Sequence, residues 1–323
     1  MIQSQPYVSI VLTGRNDDFG GDFNGRFFRA LRFNHHELSK AGVSHEFVFV
    51  EWRPVEDRPL LSEVLEEEFA ALAPSQLRCY VVDPRYHDAY SLNPRLQFQE
   101  FLAKNVGIRR AHGLFILTTN TDIYFSRGII ERLGSRSLEN RILYRAARCD
   151  LKSHIDVSHV DWQVLEDSRN YDIVNAIYPP LFTNASGDFL LTDYDSYHRL
   201  RGFNELYRLA KIHIDGNFCM KARASSVLPL DIGFPVYHVG RGTFRAFAGL
   251  YRNQPETAPW GDRRWKSAMV YENHPDWGLG KAPERQLSGC TAVLDFQWDA
   301  VVPMVDLRRV IPALPVSMSA SGR

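Results

Sequence analysis

The amino-acid sequence predicts an α/β domain whose central sheet is mainly parallel and covered by helices on both faces. Over the first 125 residues, short apolar segments rich in β-branched residues alternate with segments whose apolar residues recur at helical spacing. This alternation is typical of parallel sheets, because each strand returns to the sheet through a helical crossover. The 323 residues are enough to bury a sizeable core, in one large domain or two closely joined ones.

Four strands and three helices are predicted in the first half. The strands cover residues 7–13, 46–51, 77–82 and 114–117. Each helix has apolar residues on one face. They are Phe27, Leu31 and Leu38 in the first helix, Leu65, Phe69 and Leu72 in the second, and Phe98, Phe101, Leu102 and Ile108 in the third. Gly42 and Pro74 are expected to end the first two helices.

The second half of the sequence is less regular. Residues 181–206 indicate a glycine turn, a strand, a short helix and a loop, and residues 213–224 indicate a helix that opens after Asp215. Residues 228–238 indicate a strand interrupted by a glycine and a proline. Beyond this strand the sequence is rich in Arg, Trp, Pro and Gly, and no element is assigned.

Composition excludes several classes of protein. Lys plus Arg equals Asp plus Glu, 38 each, so the formal net charge is zero and does not favour a nucleic-acid partner. No stretch approaches the roughly 20 apolar residues of a membrane span, and the N-terminal apolar run is too short for a signal peptide. The four cysteines form no CxxC pair, which favours reduced, buried thiols in a cytoplasmic protein.

Polar side chains follow the predicted strands at their carboxyl ends, where open α/β sheets bind ligands. Asn120 and Asp122 follow the fourth strand at i, i+2 spacing, which predicts that both side chains lie on one face of the sheet. Amide and carboxylate oxygens suit a hard divalent ion such as Mg²⁺ or Mn²⁺, which substrate phosphates and water would complete. The alternative is that Asp122 caps the next turn while Asn120 bonds a neighbouring loop.

Several segments resemble the motifs of one enzyme family. The stretch AKNVGIRRAHGLFILTTNTD, from Ala103 to Asp122, is similar to the nucleotide-sugar region of family 2 type glycosyltransferases, which have the GT-A fold. That region usually has an R/K-N-x-G run followed by a strand that ends in Asp-x-Asp. Further resemblances occur in the family's order, in VSIVLTGRND, FVFVEW, GDFLLTDYDSYHRLRGFNE, HIDGNFCMKA and VYHVGRG. The resemblance covers roughly residues 7–242.

The resemblance implies a hexosyl transferase that uses a nucleotide-sugar donor, UDP- or GDP-linked, with Mn²⁺ or Mg²⁺ at the diphosphate. The acceptor would be a carbohydrate, a lipid or a small molecule. It also implies a nucleotide-sugar half over residues 1–125 and an acceptor half over residues 126–240, with residues 241–323 as a C-terminal extension. Together these segments would form one GT-A catalytic domain.

By the same resemblance, Asp122 is the expected metal ligand, with Asn120 as its partner and His238 as a further metal contact. Asn in place of the family's first Asp leaves one negative charge fewer at the metal. The residues expected to contact the donor are Thr13, Arg15, Glu51, Asn105, Arg109, Asn120, Asp188 and Arg241. The alternatives are an exposed strand-end charge for Glu51, a helix-surface role for Arg109, a surface-loop charge for Arg241 and a structural histidine for His238.

Asp215 matches the acidic residue that acts as general base in inverting members of the family. The alternative is that Asp215 caps the following helix. The preceding His213-Ile214 and the following Asn217 depart from the usual motif, so a retaining transferase and an inactive sugar-binding protein stay open as alternatives. Trp260, Trp265 and Trp277 either stack on sugar rings or pack a small C-terminal subdomain.

Overall fold

Two β-sheets and eight α-helices make up the described part of the chain. The computed structural model describes residues 5–72, 75–91, 94, 96–175, 178–179, 187–205, 208, 214–239 and 272–302. The strands are β1 Val8–Gly14, β2 His45–Trp52, β3 Leu77–Val82, β4 Phe115–Thr119, β5 Ile123–Phe125, β6 Ile142–Arg145, β7 Arg148–Leu151, β8 Tyr171–Asn175, β9 Phe189–Asp193, β10 Leu228–Asp231, β11 Val236–Val239, β12 Glu284–Gln286 and β13 Thr291–Leu294. The helices are α1 Phe23–Lys40, α2 Leu61–Glu68, α3 Pro84–Tyr90, α4 Glu100–Arg110, α5 Arg127–Gly134, α6 Trp162–Glu166, α7 Tyr194–Leu200 and α8 Ile214–Ala224.

The large sheet has nine strands in the order β10-β6-β9-β4-β1-β2-β3-β13-β12. The pairs β10–β6, β4–β1, β1–β2, β2–β3 and β3–β13 are parallel, whereas β9 runs antiparallel to both neighbours and β12 runs antiparallel to β13. The predicted mainly parallel α/β sheet is therefore confirmed.

The central strands of the large sheet are buried on both faces. Along β1, the side chains of Val8, Ile10 and Leu12 pack into one hydrophobic cluster, while Val11 packs into a second. Helix α1 contributes Phe27 to the first cluster, and α4 contributes Val106 to the second. Burial on both faces explains why these strands have near-continuous apolar sequences rather than alternating ones.

A second sheet of four strands has the order β5-β11-β7-β8. The strand predicted over residues 228–238 is in fact two strands in different sheets. Gly233 has a φ of +88°, a conformation that favours glycine, and Pro235 lacks a backbone donor, so the chain leaves the large sheet after β10. It then enters the small sheet as β11.

All three predicted segments of the chain contribute to the large sheet. Strands β1 to β4 come from the first segment, β6, β9 and β10 from the second, and β12 and β13 from the last. Within the described residues, no helix is both long and apolar enough to cross a membrane. The four cysteines are buried and carry free thiols.

Candidate functional site

The candidate site is centred on the turn between β4 and β5, at the carboxyl end of β4. Strand β4 ends at Thr119, so Asn120 and Asp122 lie in this turn and not on one strand face. That part of the sequence prediction was wrong, because the turn sends the two side chains in different directions. Asn120 contacts residues on α4 and before β9, whereas Asp122 faces β11.

Asp122 and His238 are neighbours because β11 pairs with β5. His238 is the register partner of Ile123, and the Val239 N–H donates to the carbonyl oxygen of Asp122 at 3.3 Å. The Oδ2 atom of Asp122 lies 3.6 Å from Nε2 of His238 and 3.9 Å from Nε of Arg26. Both the carboxylate and the imidazole are buried.

Strand β7 supplies two further charged groups. Arg148 and Asp150 stand two residues apart, and Asp150 is the register partner of His238 in the parallel pair β7–β11. Arg148 Nε donates to Asp150 Oδ1 at 2.6 Å, and the same carboxylate oxygen lies 3.2 Å from His238 Nδ1. A carboxylate in this position fixes the orientation of an imidazole ring.

The charges around His238 and Asp150 determine their protonation. Burial by itself would lower the pKa of His238, but the charge of Asp122 and hydrogen bonds to Asp122 and Asp150 outweigh burial and raise this pKa to about 9. Burial would raise the pKa of Asp150, but hydrogen bonds from His238 and Arg148 lower it to about 2. Without a bound ligand, the pair is therefore an imidazolium and a carboxylate at neutral pH.

Asp188 joins this network from the segment before β9. Its Oδ1 accepts a hydrogen bond from the Asn120 amide, its Oδ2 accepts one from Arg148 Nη1 at 3.0 Å, and its carbonyl oxygen accepts one from Thr119 Oγ1 at 2.6 Å. On the other side of Asn120, the Lys104 ammonium donates to Oδ1 of Asn120 at 3.0 Å. A continuous polar network therefore runs from α4 to β11.

Asp215 lies beside this network as the second residue of α8, which begins at Ile214. The residues directly before Ile214 lie outside the described part of the chain, so the capping alternative stays a prediction. Arg145 Nη2 lies 3.6 Å from Asp215 Oδ2, and Arg145 also donates to the Phe189 carbonyl oxygen at 3.3 Å. A β-carbon placed on Gly187 would be 3.7 Å from the carboxyl carbon of Asp215, which shows how close Asp215 is to the Asp188 segment.

Three predicted donor contacts lie elsewhere. Glu51 is fully buried, and its carboxylate accepts from the backbone N–H groups of Leu61 and Ser62 at 2.8 and 3.0 Å, at the start of α2. Burial raises the pKa of Glu51, although these hydrogen bonds oppose the shift. Glu51 therefore satisfies backbone N–H groups at a helix N-terminus, and the alternative of an exposed strand-end charge was wrong.

Asn105 and Arg109 connect α4 to later parts of the chain. Asn105 donates to the Phe203 carbonyl oxygen at 2.8 Å and accepts from the Phe203 N–H at 2.7 Å. Arg109 donates to the carbonyl oxygens of Pro275 and Trp277, both at 2.9 Å, and its guanidinium lies over the Trp277 ring. These contacts place both side chains in structural positions away from the β4–β5 turn. Trp277 is buried, as expected from its packing alternative.

Thr13 and Arg15 lie at the carboxyl end of β1, where the family resemblance expects the base. Thr13 is buried and pairs in register with Val50. Arg15 donates to the Arg53 carbonyl oxygen and to Asp17 Oδ2, both at 2.9 Å. Arg241, Trp260 and Trp265 lie outside the described residues.

The chemistry of Asp122 and His238 fits a divalent ion as a two-ligand set. Because hard divalent ions bind their ligands at about 2.1 Å, one ion can contact two atoms that are 3.6 Å apart. Across the described ranges, no group of three or more His, Cys, Asp or Glu side chains is arranged to hold a metal. The remaining positions of such an ion would belong to phosphate oxygens and water.

Sequence reasoning missed four charged residues of this site: Lys104, Arg145, Arg148 and Asp150. The signal for two of them was present, since Arg148-Cys149-Asp150 alternates polar and apolar residues as a half-buried strand does. The i, i+2 argument applied to Asn120 and Asp122 in fact holds for Arg148 and Asp150.

Comparisons with known proteins give structural likenesses only. No protein-family model matches this chain, and no curated protein matches it. Among solved structures, S. aureus TarS 1–349 in complex with UDP is 12% identical, with a TM-score of 0.44, over 76% of this chain and 63% of that chain. The catalytic domain of Drosophila β1,4-galactosyltransferase 7 in complex with xylobiose is 11% identical, with a TM-score of 0.42, over 91% of this chain and 96% of that chain.

Proposed function

We propose that this chain is a metal-dependent glycosyltransferase that moves a hexosyl group from a UDP- or GDP-sugar to an acceptor hydroxyl with inversion. The observation that supports this most strongly is the convergence of Asp122, Asp188, Asp215 and His238. These residues come from distant parts of the sequence, and each belongs to a different motif of the family resemblance. The acceptor would be a carbohydrate, a lipid or a small molecule.

Asp122 and His238 would hold Mn²⁺ or Mg²⁺. A bound divalent ion supplies positive charge that offsets the negative charge developing on the departing nucleoside diphosphate. Arg148 Nη2 and Asp150 Oδ1 lie 2.9 and 3.2 Å from Nδ1 of His238 and orient the ring. Asp188 would accept hydrogen bonds from hydroxyls of the donor sugar.

Asp215 would accept the proton of the acceptor hydroxyl as its oxygen attacks the anomeric carbon. Its side chain keeps 17% of its surface exposed, so an acceptor can reach it, while Arg145 is fully buried behind it. The nearest guanidinium nitrogen of Arg145 lies 3.6 Å from one carboxylate oxygen of Asp215, at ion-pair distance.

The first test is substitution of the metal ligand. Asp122→Asn keeps the shape of the side chain but removes its charge, so we expect it to abolish Mn²⁺-dependent donor turnover and to leave the fold intact. Nucleoside diphosphate release from a panel of UDP- and GDP-sugars measures turnover, and circular dichroism checks the fold. Asp299→Asn, at an exposed position, is the matched control. Full turnover in Asp122→Asn would remove the metal assignment.

The second test concerns the general base. Asp215→Asn should keep the donor dissociation constant within about twofold while lowering transfer by about 10²- to 10⁴-fold, the usual contribution of a general base. Calorimetric donor binding and single-turnover transfer measure the two quantities separately. Proton NMR of the product's anomeric configuration distinguishes inversion from retention. Donor binding by wild-type protein without release under any condition would favour the sugar-binding alternative.

A further inference from the structure

The Asn120 amide lies between two groups of opposite charge. Its Oδ1 accepts from the Lys104 ammonium at 3.0 Å, and its Nδ2 donates to Asp188 Oδ1. The opposite orientation would point the amide N–H groups at an ammonium and the amide oxygen at a carboxylate. Only the observed orientation satisfies both neighbours, so the network fixes the amide in this direction.

The groups on either side of the amide are themselves fixed. Lys104 is fully buried and also donates to Glu100 Oε1 at 2.6 Å and to the Gly187 carbonyl oxygen at 3.3 Å. The second oxygen of Asp188 accepts from Arg148 Nη1 at 3.0 Å. The amide is therefore the middle, partly buried member of a chain of hydrogen bonds that joins the buried Lys104 and Asp188, where each member costs free energy if its partner is removed.

The family's usual aspartate would be unfavourable at this position. A carboxylate at residue 120 would lie against the Asp188 carboxylate, to which the amide now donates. Like charges at hydrogen-bonding distance in a buried site repel strongly. The asparagine therefore matches the buried carboxylate of Asp188, and its oxygen is directed at Lys104 rather than at Asp122 and His238.

We propose that Asn120 is not a metal ligand but a positioning residue, which holds the Asp188 carboxylate in the direction needed to bind hydroxyls of the donor sugar. This rests on the proposed function, since it assumes that Asp188 contacts the sugar. Asn120 should therefore affect binding of the sugar part of the donor and not binding of the metal or the nucleoside diphosphate.

Binding measurements separate these two roles. In Asn120→Ala, Mn²⁺ affinity in the presence of UDP or GDP, read from the electron paramagnetic resonance of free Mn²⁺, should stay within twofold of wild type. The affinity for the corresponding nucleotide-sugar should fall about tenfold, the loss expected for one hydrogen bond to a charged group. Asn120→Ala combined with Asp188→Ala should bind the nucleotide-sugar no more weakly than Asp188→Ala alone. Weaker Mn²⁺ binding in Asn120→Ala, or additive losses in the double variant, would overturn the proposal.

A second measurement needs no ligand. Asn120→Asp should lower the midpoint of thermal unfolding by several degrees, because it places two carboxylates together. Asn120→Asp combined with Asp188→Asn reverses the polarity of the pair, keeps one carboxylate and one amide, and should recover most of the loss. If Asn120→Asp instead binds Mn²⁺ more tightly with an unchanged midpoint, Asn120 belongs to the metal site and the proposal is wrong.

The two proposals fail in different ways. If wild-type protein binds no UDP- or GDP-sugar, the proposed function fails, and the sugar-positioning role of Asn120 fails with it. If wild-type protein binds a nucleotide-sugar but the losses of Asn120→Ala and Asp188→Ala are additive, only the role of Asn120 fails.

Discussion

Lys221 is a buried ammonium outside the candidate site. It lies on α8 and donates to the Gly202 carbonyl oxygen at 3.1 Å. Burial lowers its pKa to about 7, although the charges of Glu205 and Glu272 oppose the shift. Because a lysine in the unfolded chain titrates near 10.4, the unfolded state binds more protons than the folded state between these two pH values.

The contribution of Lys221 to the free energy of unfolding should therefore rise with pH above 7, whereas that of His238, whose pKa is raised to about 9, should fall over the same range. Since stability increases wherever the unfolded state binds more protons, this lysine alone contributes a rise of roughly 2 kcal/mol between pH 7 and 9. Lys221→Met should remove that part of the rise, and Lys40→Met, at an exposed position, should leave it unchanged. Urea unfolding at several pH values measures both. An unchanged pH dependence in Lys221→Met would contradict the assignment.

Single residues differ in how far the sequence predicts their place. Asp122 and His238 were expected to meet, and they do, because Asp122 directly precedes β5 and His238 lies in β11, which pairs with β5. Glu51 was expected at the nucleoside, but the N-terminus of α2 begins within reach of its carboxylate. Such a contact depends on the position of a later helix in the folded protein, and no local sequence pattern predicts that position.

At the scale of elements, Asn105 on α4 is a residue of the family motif that stabilises the fold. Asn105 makes three hydrogen bonds, two to the backbone of Phe203 and one to Glu205 Oε1 at 3.0 Å. Asn105→Ala would leave these buried groups without their partner, which should lower the free energy of unfolding by roughly 3 kcal/mol. Asn140→Ala, on an exposed turn, is the control and should change little.

Nucleotide binding decides between the two roles of Asn105. If Asn105 only supports the fold, folded Asn105→Ala should bind UDP or GDP with wild-type affinity below its unfolding temperature. Tenfold weaker binding together with wild-type stability would restore the donor contact expected from the family resemblance.

Most elements of the first half were predicted, whereas in the second half β9, α7 and α8 were predicted and β6 to β8 were not. Strands β1 to β4 begin and end within two residues of the predicted ranges, because strands buried on both faces are marked by continuous apolar residues. Strands β6 and β7 have four residues each, and β7 is half-buried, so their signal is weak. Helix α3 was missed for the same reason, since its seven residues are too few to show a period.

For the whole molecule, the C-terminal segment is part of the main sheet rather than an appendage. Leu294 on β13 is fully buried in the cluster that also contains Trp52 and Val82. No strand was predicted beyond residue 240, because β12 and β13 are short and β12 is exposed. Their place beside β3 follows from tertiary packing that local composition does not record.

If the segment folds cooperatively with the rest, Leu294→Ala should lower global stability by about 3 kcal/mol. Leu287→Ala, in the same segment but 44% exposed, should cost far less. Hydrogen exchange should then show faster global opening in β1 as well as in β13 of Leu294→Ala. Faster exchange confined to β13 would show that the segment unfolds on its own.

The small sheet fixes the side chains of the candidate site before a ligand binds. Strands β5, β11 and β7 lie side by side, and their register sets Asp122, His238, Asp150 and Arg148 next to one another before any ligand arrives. The conformational entropy of these four side chains is thus lost when the protein folds and not when a ligand binds. A ligand should consequently bind with little rearrangement of these four side chains, and its own conformation must fit their fixed arrangement.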